Sequence, residues 1–448
     1  VIALRVGLVL LRELVRTLLV PVRVLCYLPF RHHWRRLARR TLDEAAQATP
    51  GDPAVELATF FARRRPLRGS MPHLFVSAGE ASGELHAAKL VRALPRSVRT
   101  SAFGGHQLVD AGATVRFHLS DHAVMGFFGV LRQLPLILRA FADFLRLLRD
   151  DPPDLVVLVD YPGLHLVMAK ACKRAGVPVL HYVAPQYWAW GPWRMRRYRR
   201  AVDATLTILP FETSFFRRFA VPASYIGHPL LDELAGAPPD PSQVATIRRR
   251  RTLVLMPGSR SAEIRTHLPG MLQVARTLHQ REPGLRIVVP HKNPRRAALL
   301  RELLAQHRDG LEVEHHEGPL APWLAGAHLV VAKSGTGSLE ACLHGAPTIV
   351  VYQLRGLLGA IGYHSILSVP WIAAANLITG RPAVPEHCFA GASGWDRVRA
   401  DAERLWFHDD ARQRALAALA EVRSRLGAPG ATARVAAIVH TFLFPPPR

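Results

Sequence analysis

Residues 75–90, FVSAGEASGELHAAKL, constrain the fold more than any other stretch of the chain. An apolar run at 73–76 stops at small and acidic residues, and an Ala/Leu-rich helical pattern follows at once. Strand, glycine loop and helix in that order read as the opening βα turn of a Rossmann-like domain. Gly79 and Gly83 permit a tight turn and the close approach of a ligand. Ser82 is placed to cap the helix, and Glu80 and Glu84 suit its positive end. The spacing fits neither G-x-G-x-x-G nor the P-loop pattern, and two carboxylates would repel a pyrophosphate. The loop is therefore not read as a nucleotide phosphate loop.

The same alternation recurs downstream. Further strands are expected at 100–103, 155–159, 177–183 and 205–209, with 225–229 closing a first domain. A second series runs through 252–256, 285–289, 328–332 and 348–351. With 448 residues there is room for two α/β domains and an addition. The expected division is an N-terminal extension at 1–70, a Rossmann-like domain at 71–235, a second at 250–385, and helices at 395–448 that could cross back onto the first.

Candidate site residues fall at strand ends. The continuous apolar run 155–159 reads as a central parallel strand buried on both faces, and Asp160 ends it, where α/β enzymes place their ligands. Capping of the next helix is the plainer role for such an Asp. Trp188, Trp190 and Trp193 precede an arginine cluster at 194–200, which suits either a phosphate or lipid headgroup or a solvated helix face. In the second domain Gly258, Ser259 and Arg260 form a turn that could bind a diphosphate. Ser334, Gly335 and Thr336 would offer backbone N–H groups and hydroxyls at a helix N-terminus, and Glu340, one turn on, could reach a ribose diol. Followed by Gly345-Ala346-Pro347 and a strand, this combination indicates a nucleotide-sugar site.

A net charge of +24, from 58 basic and 34 acidic residues, taken alone suggests nucleic acid or an anionic membrane. Lys occurs only at 89, 170, 173, 292 and 333, so the excess is arginine, and compositional bias explains it equally well. No nucleic-acid motif accompanies it. Cys26, Cys172, Cys342 and Cys388 show no C-x-x-C pair, which indicates neither a disulfide framework nor a zinc site and suits a reducing cytoplasm.

Residues 6–30 are strongly apolar but interrupted by Arg12, Glu13, Arg16 and Arg23, so they make no clean transmembrane span. At about 100° per residue, Arg12, Arg16 and Arg23 point within roughly 20° of Arg5, one cationic stripe against Leu and Val. That suits a helix in a membrane interface, kinked at Pro21; a helix packed on the protein's own surface fits as well. No small-residue cleavage site follows, so a secretory signal is not expected. Residues 43–70 read as a polar linker carrying a short helix. Residues 123–148, broken at Pro135, are apolar enough either to be buried on the sheet or to contact acyl chains or membrane.

In order along the chain, SAGEASGEL, VMGFFGVL, VDYP, YVAPQYWAW, LPFE, GHPL, MPGSRSAEI, KSGTGSLE, GAPTIVVY and NLITGR resemble the lipid-A-disaccharide synthase family. These are inverting glycosyltransferases of the GT-B fold, two Rossmann-like domains with an interdomain cleft. The resemblance implies transfer of 2,3-diacylglucosamine from its UDP derivative to the 6-hydroxyl of 2,3-diacylglucosamine 1-phosphate. It also implies Asp160 as general base with Glu80 next, Ser82 facing the sugars, and Gly258, Ser259, Arg260 and Ser334 to Thr336 on the diphosphate. Glu340 would hold the ribose and Asn376 would lie in the cleft. No metal or other cofactor is implied. The expected partners are the two acylated sugars, an anionic membrane surface at the cytoplasmic face of the inner membrane, and a second copy in a homodimer, with no nucleic acid. Gly129, His165, Glu84 and Ala375 depart from the family pattern, mainly on the acceptor side. The alternatives are another GT-B glycosyltransferase, a UDP-N-acetylglucosamine epimerase, or a membrane-bound binding protein on a degenerate scaffold.

Overall fold

The computed structural model describes residues 2–47, 51–120, 127–354 and 356–445. The chain divides into two compact units, Val1–Asp232 with Ala428–Arg448, and Glu233–Gly427.

The first unit is built on seven strands: β1 (His73–Ala78), β2 (Arg99–Gly104), β3 (Thr114–His118), β4 (Leu155–Val159), β5 (Val179–Tyr182), β6 (Ala204–Thr207) and β7 (Ala223–Tyr225). They pair in the order β3-β2-β1-β4-β5-β6-β7, all parallel. The central strands β1 and β4 are buried throughout, as apolar runs without alternation require when helices cover both faces. β3 has no counterpart among the expected strands: it is an edge strand whose residues alternate between exposed and half-buried, with little apolar signal.

The helix Phe127–Asp150 runs through Pro135 without ending there. Its C-terminal half is buried on the sheet, where Phe144 stacks 5.0 Å from Phe75 of β1. The first part of the expected 123–148 segment, residues 123–126, lies outside the described residues.

The described chain opens with helices α1 (Ile2–Leu18), α2 (Val20–Tyr27) and α3 (Arg31–Gln47). They pack on the first unit with the arginine side inward. Arg16 and Arg197 both bond Glu13, the latter at 3.1 Å, and the Tyr27 ring lies 4.7 Å from Trp193. The other side faces out, and Leu4, Leu8, Leu11, Val15, Leu18, Val22 and Leu25 are all exposed. Their spacing alternates four and three residues, so they form one apolar stripe.

The stretch read as a linker is part of the core. Leu57 and Phe60 are fully buried, and Phe60 stacks 4.6 Å from Phe442. Phe442 belongs to the last helix, Ala431–Leu443, whose N-terminus is capped by Asp232 through Ala431 N at 3.1 Å and Thr432 N at 2.9 Å. The apolar run at 55–62 is too short for a clear periodic signal, and the returning helix forms part of the surface on which Leu57 and Phe60 are buried.

The second unit holds β8 (Thr252–Met256), β9 (Arg286–His291), β10 (Val313–Glu317), β11 (Leu329–Lys333), β12 (Thr348–Leu354) and β13 (Glu386–Ala390), in the parallel order β10-β9-β8-β11-β12-β13. Helices Gly394–Phe407 and Asp409–Leu426 belong to this unit, and Trp395 and Trp406 fill its core.

Candidate functional site

Strand order locates a crevice in each unit. The order reverses between β1 and β4 in the first and between β8 and β11 in the second. At such a point successive connections leave on opposite faces, so a crevice opens at the carboxyl ends of the two strands.

In the first unit that crevice is flanked by Gly79 and Glu80 after β1 and by Asp160 and Tyr161 after β4. Asp160 and Tyr161 have φ of 52° and 46°, a left-handed conformation that costs non-glycine residues on the order of 1–3 kcal/mol. A buried network holds it. The Asp160 carbonyl accepts from His165 Nδ1 at 2.7 Å and from His181 Nε2 at 3.0 Å. A carbonyl can only accept, so both tautomers are fixed. His165 Nε2 then accepts from the Ser77 hydroxyl at 2.9 Å, and His181 Nδ1 from the Tyr198 hydroxyl at 2.9 Å. Tyr198 in turn accepts from Thr205 Oγ1 at 2.9 Å. Burial pushes His165 down to about 3 and His181 to about 4, so the network is neutral at pH 7.

The Asp160 carboxyl is pushed up to about 6, chiefly by burial and then by the charge of Glu80. Such a group is ionised at neutral pH yet remains basic enough to take a proton. Tyr161 rises for the same two reasons, burial and Glu80. Its ring occupies the place where a β-carbon on residue 79 would stand, so glycine is required there.

Two expectations at the opening turn change. Ser82 does not cap the helix Ala81–Ala93: the N-cap is Glu80, in an extended conformation, and Ser82 is exposed in the first turn. Glu84 turns inward instead of serving that helix end. It accepts from Gln107 N at 2.8 Å and Leu108 N at 3.3 Å, capping the helix His106–Asp110, and also from the Ser120 hydroxyl. His165, a departure from the family pattern, is one of the two imidazoles on Asp160. Ala375 is buried. Gly129 lies in the helix Phe127–Asp150.

In the second unit Gly258, Ser259, Arg260, Ser334, Gly335 and Thr336 line one cavity of about 450 Å³. Two helices, Ser261–Arg281 and Thr336–Leu343, begin at its wall, and their free N–H groups make it electropositive. Gly258 has φ 118° and lies so close to Glu263 that a β-carbon would stand 2.6 Å from its Oε2. Glu263 organises the turn, accepting from Ser259 N at 3.1 Å, from Arg260 at 3.3 Å and from Lys333 Nζ at 2.9 Å. Burial alone would raise Glu263, but Lys333 and Arg260 outweigh it and hold the carboxylate below its usual range. Lys333 and Lys292 are cations of this cavity that the sequence reading left without a role. Lys333 sits immediately before Ser334, at the strand end, and its position was the available signal.

Glu340 is buried one turn beyond Thr336 and accepts from Lys292 Nζ at 3.0 Å. Asn376 is also buried, but its side chain is consumed by the protein. Its Oδ1 accepts from Ala383 N at 2.7 Å and Val384 N at 2.9 Å, and its Nδ2 donates to Val384 O and Glu386, both at 3.1 Å. It holds a loop together. Among the described residues no cluster of His, Cys, Asp and Glu could hold a metal ion.

The profile described as lipid-A-disaccharide synthetase matches residues 74–410. The lipid-A-disaccharide synthase of Myxococcus xanthus (strain DK1622) is 36% identical over 386 residues, spanning 84% of this chain and 98% of that protein. Among solved structures, an S. aureus MnaA–UDP co-structure aligns with a TM-score of 0.55 at 14% identity, covering 83% of this chain and 97% of that one. The kitacinnamycin glycotransferase aligns with a TM-score of 0.50 at 16% identity, covering 84% and 100%. At such identities these likenesses bear on the fold, which is the GT-B arrangement of two parallel sheets with interleaved helices. Profile and relative agree over the region that carries both crevices, and the chain belongs to the lipid-A-disaccharide synthase family, glycosyltransferases of lipid A biosynthesis.

Proposed function

We propose that this chain transfers 2,3-diacylglucosamine from its UDP derivative to the 6-hydroxyl of 2,3-diacylglucosamine 1-phosphate. Asp160 takes the proton from that hydroxyl as its oxygen bonds to the anomeric carbon of the donor, and the bond from that carbon to UDP breaks with inversion. UDP leaves as an anion, and the cavity at Arg260, Lys333 and the 334–336 turn stabilises it electrostatically. Glu340, with Lys292, is assigned to the ribose side. Glu80 raises the basicity of Asp160 by its charge, and Ser82 lies beside it for the sugar. The observation that carries this reading is the half-buried carboxylate at the first switch point, pushed up to about 6, on a turn whose Asp160 carbonyl is held by two neutral histidines. The test is UDP release by purified protein. It requires both acylated sugars together, and full turnover by Asp160→Ala would remove the assigned base.

The reading includes a place at the cytoplasmic face of the inner membrane. Among the described residues no helix is long and apolar enough to cross a membrane. The outward leucine stripe of α1 and α2, beside an arginine-rich surface, suits a helix lying in the interface. A homodimer remains part of the reading, to be tested by sedimentation.

A further inference from the structure

Between the N-terminal helices and the first sheet unit lies a cavity of about 1100 Å³. This is just above the roughly 300–1,000 Å³ of small-molecule sites. Thr17, Val20, Tyr27, Phe30 and Trp34 form one wall, and Leu166, Tyr187 and Trp193 the other. Five arginines, at 16, 23, 194, 196 and 197, line it, against the single carboxylate of Glu13. That carboxylate is already held by Arg16 and Arg197. The surplus positive charge is felt by a neighbour: Lys170 is pushed down to about 8, by burial first and then by Arg197, Arg16 and Arg12.

The position of the cavity selects its occupant. Pro162 and Gly163 form part of its lining, and Pro162 follows Asp160 by two residues, so their Cα atoms are within about 7.6 Å. The cavity thus reaches the first residues of the helix that follows the assigned base. An apolar, aromatic wall and a set of arginines suit a molecule with both an acyl chain and a phosphate.

We propose that this cavity binds the acylated sugar 1-phosphate acceptor, its phosphate on the arginines and an acyl chain against the aromatic wall. The proposal rests on the glycosyltransferase reading above. It assigns the N-terminal helices, which lie outside the family match at 74–410, to acceptor recognition. Their contribution is to acceptor affinity, because the groups assigned to the chemistry all lie beyond residue 70.

The test uses the full chain with Arg23→Glu/Arg196→Glu, which spares the arginines bonded to Glu13, and separately Val20→Trp, which fills the cavity without changing its charge. Circular dichroism and UDP binding confirm that each variant is folded. The charge reversal is expected to raise the acceptor KM about tenfold or more while the donor KM stays in place, a loss of one or more strong phosphate contacts. An acceptor lacking the 1-phosphate should show no such loss, whereas Val20→Trp should weaken both acceptors. Unchanged acceptor KM in both variants overturns the proposal. If the wild-type protein turns over no acylated acceptor, the glycosyltransferase reading fails by itself. Tryptophan fluorescence titration with acylated glucosamine 1-phosphate then decides the cavity: weaker binding to the charge-reversed variant supports it, and equal binding overturns it. Charge reversal that weakens binding to phosphatidylglycerol vesicles but not to the sugar phosphate also overturns it, because the arginines then serve the membrane.

Discussion

His181 grips Asp160 by its backbone and not by its carboxylate: imidazole Nε2 lies 3.0 Å from the Asp160 carbonyl oxygen. The left-handed turn that presents the carboxylate is thereby fixed from below by a neutral side chain. His181→Phe keeps an aromatic ring but removes this bond and leaves the Tyr198 hydroxyl without its His181 acceptor. A stability loss of about 1–3 kcal/mol is expected, with kcat falling and UDP affinity unchanged. Chemical denaturation and steady-state kinetics check both parts; undiminished kcat would mean that the turn holds itself.

Asp160 is destabilised by its own charge. Its folded pKa, about 6, lies above the ordinary carboxylate value, so the folded protein binds this proton more tightly than the unfolded chain. The contribution favours folding at low pH and is lost as pH rises from about 4 through about 6. Asp160→Asn should therefore abolish transfer and stabilise the protein at pH 8 by on the order of 3 kcal/mol. The wild-type kcat/KM should fall below about pH 6, as the base becomes protonated. A flat rate profile between pH 5 and 8 would contradict the assignment.

The two histidines act in the opposite sense. Folded values of about 3 and 4 lie below the ordinary imidazole value, so the unfolded chain takes up protons first as the medium is acidified. Stability is fully present above about pH 6.5 and falls below it by on the order of 1.4 kcal/mol per pH unit for each histidine. Urea midpoints measured from pH 7 to pH 5 should show this decline, reduced in the His181→Phe variant.

Gly79→Ala places a methyl group in the Tyr161 ring. The expected cost is about 1–3 kcal/mol with a marked loss of kcat, since the ring and the Asp160 turn must shift together. Combining it with Tyr161→Ala should recover much of the stability. Absence of any recovery would place the strain elsewhere.

Arg260→Ala and Lys333→Ala should each weaken UDP binding about tenfold or more by calorimetry, the scale of one charged hydrogen bond. Lys333→Ala carries a further cost, because Glu263 loses its 2.9 Å partner and with it part of its hold on the helix start. Equal UDP affinity in both variants would remove the diphosphate from this cavity.

Leu8→Ser/Leu11→Ser/Leu18→Ser changes only exposed residues of α1 and should leave the thermal midpoint nearly unchanged while reducing cosedimentation with anionic vesicles. Removing residues 1–70 is a poorer test than the sequence suggests. It takes away Leu57 and Phe60, and losing a buried phenylalanine alone costs about 3–5 kcal/mol.

What the sequence determined by itself follows from signals that are local in the chain. Apolar runs such as 155–159 and 252–256 identify central parallel strands, and the residues just after them, Asp160 and Gly258 to Arg260, are then at strand ends whatever the packing. The edge strands β3, β10 and β13 have no counterpart among the expected strands because a strand half in solvent has little apolar signal, and VEHHE reads as surface. Tertiary structure alone decided the rest, because it depends on neighbours remote in sequence. Ser77, His165 and His181 meet at the Asp160 carbonyl, Glu84 caps a helix more than twenty residues away, and Asn376 spends its amide on its own loop. The N-terminal helices carry a legible arginine stripe, but periodicity cannot say which side of a helix faces the protein. Glu13 and Arg197, 184 positions apart, turn that stripe inward and leave the leucines in solvent.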